Sequence, residues 1–163
     1  MHYFLLPLVP LTIIGAIFLK KRFAAYGFPV VLTLIKMYTT KISAVYFFTG
    51  LALWAVVFLT RKLNSRNTIS LPRVAGTAVL SVVVYSLVSN FGIWMIGGCA
   101  AGDKLYAFNL SGLLACYQSG LRYAGLHLLK AVPLTLVLVQ VLDWMRRWNV
   151  AFNMQRVISN KVS

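Results

Sequence analysis

The sequence predicts an all-α fold, a polytopic transmembrane bundle of five or six helices, and three observations predict it. Apolar residues make up 60% of the 163 positions. Charged residues make up 11%, where soluble domains average about a quarter. The charges are also clustered, leaving uncharged runs at 3–19, 23–35, 42–60, 74–102, 105–121, 123–129 and 131–142. A helix needs ~20 mostly apolar residues to cross a hydrocarbon core, so run length decides the spans here.

In chain order, 3–19 is long enough to span. The stretch 23–38 is weakest, with Pro29 inside it and Lys36 near its end, so the second segment is predicted to be short or re-entrant. Runs 42–60 and 74–102 span outright, and 105–121 is marginal. Residues 123–142 span if Lys130 is accommodated in the bundle or snorkels toward the headgroups. The whole of 1–163 reads as a single integral membrane domain, with no repeat and no linker longer than 61–73. The apolar run starts at residue 3 and its basic residues follow it, an order that argues against a cleaved signal peptide.

The net charge of +14 comes from sixteen Lys and Arg against Asp103 and Asp143, with no Glu. These cations are scattered over predicted helix ends, which points to a bilayer with anionic headgroups as their partner and away from nucleic acid. A six-helix reading meets a conflict. Lys20, Lys21, Arg22, Arg61, Lys62, Arg66, Arg73 and Arg122 fall on one side, and Lys36, Lys41, Lys104 and the tail residues Arg146, Arg147, Arg156 and Lys161 on the other. The positive-inside rule asks for the first set and the tail in the cytoplasm. Six spans cannot satisfy this, five full spans with one segment re-entrant would, and the alternative is that basic residues gather at an outer mouth for a functional reason.

Asp103 and Asp143 both fall at predicted helix ends, so no carboxylate lies deep in the membrane and a paired-carboxylate hydrolase is excluded. No H-E-x-x-H, G-x-S-x-G or Gly-rich loop with Lys occurs, so the chain is not expected to be an enzyme. Asp143 with Arg146, Arg147, Trp144 and Trp148 reads as a helix-end ion pair in an aromatic belt.

The polar residues that remain set the candidate site. Asn90 and Trp94 lie four apart on one helix face with Ser86. An amide in hydrocarbon needs a hydrogen-bond partner, supplied by a neighbouring helix or by a ligand with Trp94 as apolar wall. In 105–121, Asn109, Gly112, Cys116 and Gly120 share a face, and the last three form the small-xxx-small series of close helix pairs. The alternative is a cavity lined by Asn109, Cys116 and Gln118, although Gln118 lies on another face. His127 reads either as a packed hydrogen-bonding residue or, with Cys116 on the preceding helix, as an axial ligand to a metal-centred cofactor. Cys99, in the glycine-rich exit from the fourth run, ranks below Cys116 as a functional thiol.

The segments NFGIW (90–94) and GLLACY (112–117) resemble the signature of a family of small bacterial membrane proteins that reads NFGVW, then GLL.CY, and opens with a P..TPIGA.ALF stretch like PLTIIGAIFL (10–19). The correspondence runs over about 10–142, with DKLYAFNLSG standing where that family carries a Tyr-Pro. Its size, helix number and short second span resemble the S-components of energy-coupling-factor vitamin transporters. That resemblance implies a substrate-binding component in the bacterial inner membrane, taking up a vitamin or metal-containing cofactor such as cobalamin, with or without transporter coupling subunits. Asn90, Trp94, Asn109, Cys116 and Gln118 would bind the substrate, and Cys116 or His127 would ligate its metal. The competing expectation is a non-catalytic accessory or scaffolding subunit of a larger membrane complex.

Overall fold

The computed structural model describes residues 8–19, 21–39, 44–64, 70–96, 99–100, 103–104 and 106–162. Among these residues five helices carry the fold: α1 (Leu8–Phe18), α2 (Arg22–Thr39), α3 (Val45–Leu63), α4 (Leu71–Met95) and α5 (Leu110–Val162). Between α4 and α5, Cys99–Ala100 (β1) pairs antiparallel with Asp103–Lys104 (β2), a two-residue ladder. Among the described residues, three helical segments are long and apolar enough to cross a membrane: Val45–Leu63, Leu71–Met95 and Leu110–Trp148.

The helices alternate in direction. Arg61 Nη1 donates to the carbonyl of Leu19 at 3.4 Å, which puts the end of α1 beside the end of α3. Asn64 Nδ2 donates to Thr77 Oγ1 at 3.0 Å, which puts the start of α4 there too. One end of the bundle, the basic end, therefore gathers Lys21, Arg61, Lys62 and Arg73. The far end holds the starts of α3 and α5 and the end of α4.

α1 lies among the other helices, packed on α2, α3, α4 and α5, while α2 meets mainly α1 and α3. The core is Leu8, Val9 and Ile13 of α1 with Leu32, Leu53, Val56, Ala78, Val82 and Ala131. Lipid tails are as apolar as leucine, so close van der Waals fit holds helices together in a membrane. Here that fit takes one repeated form, a large side chain seated on a glycine of the next helix. A Cβ added to Gly15 of α1 would come within 2.7 Å of Phe28 of α2. One on Gly92 of α4 would overlap Cβ and Cγ of Phe48 on α3, and one on Gly120 of α5 would overlap the Asn90 amide of α4. Three buried threonines are satisfied within their own helices: Thr33, Thr77 and Thr135 donate to the carbonyls of Pro29, Arg73 and Ala131 at 2.8, 2.8 and 2.6 Å, the usual back-bond of a membrane threonine, whereas the buried Thr12 and Thr60 hydroxyls have no partner among the described residues.

The second segment is short, as expected, at 18 residues. It is not re-entrant. Ala25 packs with Ala16 and Val57 while Leu32 packs with Leu53, so α2 runs antiparallel to α3 through the bundle, with Pro29 inside a continuous helix. The larger difference is at α5. Residues 110–121 and 123–142, expected to lie in separate spans, belong to one 53-residue helix, about 80 Å long at 1.5 Å per residue. Arg122 is therefore not in a loop; it is exposed on the helix surface. A lone charge interrupts a hydropathy run without interrupting a backbone, and Gly120 and Gly125 remain helical. The orientation conflict disappears with this. Five segments bring Arg146 and Arg147 to the same end as Lys21, Arg61 and Arg73. Lys20, Lys41, Arg66, Gly97 and Gly98 lie outside the described residues.

Candidate functional site

α4 and α5 meet at the far end, and most of the candidate residues meet with them. Cys116 is buried, and its thiol donates to the Asn90 carbonyl at 3.3 Å. One turn on, Gly120 lies under the Asn90 side chain. Tyr117 Oη donates to the carbonyl of Leu87 at 3.1 Å. Both receiving carbonyls belong to the last turns of α4, where a second acceptor lone pair is free to take an interhelical bond. The Gly112–Cys116–Gly120 series is thus a closed helix–helix seam, one of the two alternatives its spacing allowed.

Trp94 closes the top of the seam. Its ring stacks on Phe108 with centroids 4.7 Å apart and planes 4° from parallel, and Nε1 donates to the Ala107 carbonyl at 3.2 Å. Phe91 adds a tilted contact at 5.7 Å. Asn109 sits just before α5 and caps it: its carbonyl accepts from Leu113 N at 3.0 Å and its Oδ1 from Gly112 N at 2.8 Å. This is N-cap geometry, and it locks the chain so tightly that a Cβ on Gly112 would collide with the Ala107 backbone.

The remaining candidates do not converge. Gln118 is exposed on the opposite side of α5 from Cys116. His127 packs its ring on Tyr85 at 6.4 Å, and Tyr85 in turn is hydrogen-bonded to Thr49. Pairing Cys116 with His127 on one metal is overturned by the continuity of α5. Eleven residues on one helix are separated by about 16 Å along its axis, and a metal–ligand bond is about 2.0–2.3 Å. Among the described residues, no group of three or more His, Cys, Asp and Glu side chains comes together as a metal site. The side chain of Cys99 lies outside the described residues.

The depth of this seam follows from the chain's own markers. A hydrocarbon core about 30 Å thick takes ~20 helical residues. Counted back from Asp143, such a stretch ends at Tyr123, beside Arg122; counted on from Arg73, it ends at Ile93, beside Trp94. Because Asn90 lies against Cys116 and Gly120, these two ends are offset by about 9 Å, and the seam occupies that interval on the far side, with Trp94 in the position of an interfacial aromatic.

Sequence reasoning missed Phe108, Tyr117 and the Phe48–Gly92 contact. Asn109 offered a usable signal, since an Asn directly before an apolar run is a cap before it is a cavity residue.

Fold and site together define a polytopic, all-helical membrane protein with a tight polar and aromatic junction at one membrane surface. It belongs to a family of unknown function, DUF6580, whose model matches residues 2–153. No curated protein and no solved structure matches it.

Proposed function

We propose that this protein is a non-catalytic, substrate-binding component of a transporter in the bacterial inner membrane, S-component-like, taking a vitamin or a metal-containing cofactor such as cobalamin. One observation carries the reading. Residues 90–94 of α4 and 107–117 converge at the end of the bundle opposite its basic residues. By the positive-inside rule the basic end faces the cytoplasm, so this junction faces the side from which a nutrient arrives. Trp94, Phe108 and Phe91 offer a contiguous aromatic surface for a ligand to pack on. Asn90, Asn109 and Cys116 hold the two helices that present that surface. The ligand role then falls on the aromatic mouth, since the Cys116 thiol is already engaged with Asn90.

A second reading, an accessory subunit of a larger membrane complex, is favoured by the closure of the seam itself, where Gly120 and Cys116 leave Asn90 in contact with protein. Native mass spectrometry of the gently purified protein separates the two. A retained small molecule that is lost in Trp94→Ala supports the transport component. A ligand-free chain, unchanged by Trp94→Ala and holding a stoichiometric protein partner, supports the accessory subunit and refutes the first reading.

A further inference from the structure

Lys130 lies eight residues after Arg122 and thirteen before Asp143 on α5. That places it about 12 Å and about 20 Å along the helix from those two charges. Its neighbour Ala131 packs in the core with Ala78 and Val82, which puts Lys130 about 10 Å from the level of Arg73. Its side chain is exposed on the outside of the bundle, flanked by Leu126, Leu129 and Val137, which are 50%, 75% and 57% exposed. An ammonium facing lipid at this depth is rare and marks a functional contact. The lysine stem reaches about 6 Å, which leaves the headgroups of either surface out of range.

The counter-charge cannot come from this chain. It has two carboxylates; Asp143 is bound to Arg147 at 2.7 Å, and Asp103 is in β2 at the far end. A second copy does not supply it either, because a twofold contact centred on this face would set Lys130 against its own symmetry mate. We propose that the outward face of α5 around Lys130 is an interface for the transmembrane helix of a partner subunit that carries an Asp or Glu at matching depth. The exposed leucines and Val137 supply the apolar seam, and the Lys130–carboxylate pair fixes its register and partner choice. In lipid such a pair has no water to compete with it. This interface is independent of whether the far-end junction binds a ligand, and it fits both readings of function.

The test co-reconstitutes the full chain in uncharged phosphatidylcholine vesicles with a dansyl-labelled synthetic leucine-rich transmembrane peptide bearing one central Glu, and reads energy transfer from the protein's tryptophans. The expected result is association at least about tenfold tighter than with the matched Gln peptide, falling to the Gln level in Lys130→Gln and surviving in Lys130→Arg. Lys130 is exposed, so these variants should fold, and circular dichroism in the same vesicles verifies it. Equal transfer to both peptides overturns the proposal, as does a Glu preference that persists in Lys130→Gln. In native-membrane extracts, a partner subunit lost on Lys130→Gln and kept on Lys130→Arg supports it. A homodimer indifferent to Lys130→Gln overturns it.

Discussion

Gly92→Ala tests whether glycines seated under large side chains hold this bundle together. Two terms oppose each other. Alanine is favoured over glycine in a helix interior by about 1 kcal/mol, so at an open position the change stabilises. At Gly92 the new Cβ would overlap Cβ and Cγ of Phe48, atoms next to the α3 backbone that no rotamer change can withdraw. The helices must separate or Phe48 must strain, and overpacking of this kind costs roughly 1–3 kcal/mol. Because the overlap involves atoms close to both backbones, the upper part of that range applies, for a net loss of about 1–2 kcal/mol. For a chain of this length that is a Tm about 2–8 °C lower, read by near-UV circular dichroism in a mild detergent. Phe48→Ala combined with Gly92→Ala should cost less than the sum of the singles, with a coupling of about 1 kcal/mol or more. A Gly92→Ala protein as stable as the parent, or strict additivity with Phe48→Ala, would show that the seat contributes nothing.

Three further outcomes are expected. Arg122→Pro should destabilise by about 3 kcal/mol or more and abolish folded protein in membranes, because it falls inside continuous α5; tolerance of proline there would restore the two-span reading. Asn109→Ala should cost about 1 kcal/mol by loss of the α5 cap, while Asn109→Asp retains most of that stability, and thermal melts of the two variants check the difference. Single-cysteine reporters at Lys21, Asn64 and Trp148 should label from one face of sealed vesicles and those at Ala44 and Tyr106 from the other. A Trp148 reporter on the second face would mean an even number of crossings.

The first four helices were legible because charge clusters mark where they leave the membrane. Lys20 to Arg22, Lys36 with Lys41, and Arg61 to Arg73 each separate two runs, and each separates two helices. The same rule failed at Arg122, and the physical reason is that a charge reports an environment while a helix stop requires a backbone event. Nothing near Arg122 supplies one: the next proline, Pro133, lies eleven residues on and is itself inside α5, and Gly120 is helical with the Asn90 amide packed over it. From that single misreading came both the orientation conflict and the pairing of Cys116 with His127. At the seam, sequence spacing brought Gly112, Cys116 and Gly120 together correctly. It could not tell a closed seam from a cavity, because that depends on which residue of α4 lies opposite, and Asn90 and Gly120 are thirty positions apart.

At α4–α5 the glycine seat is accompanied by interhelical hydrogen bonds. Glycine lets two backbones approach, and only at close approach does an α4 carbonyl come within reach of an α5 side chain. Cys116 and Tyr117 each take one such carbonyl, of Asn90 and Leu87, and the Asn90 amide fills the hollow over Gly120. Had Gly120 been alanine, the helices would part and both bonds would lengthen together. The junction is therefore cooperative: its hydrogen bonds depend on its glycines, and the position of Trp94 against Phe108 depends on both. Any ligand or partner that engages the aromatic mouth would act on the spacing of α4 and α5 along their shared length, from Trp94 down to the level where Lys130 faces the lipid.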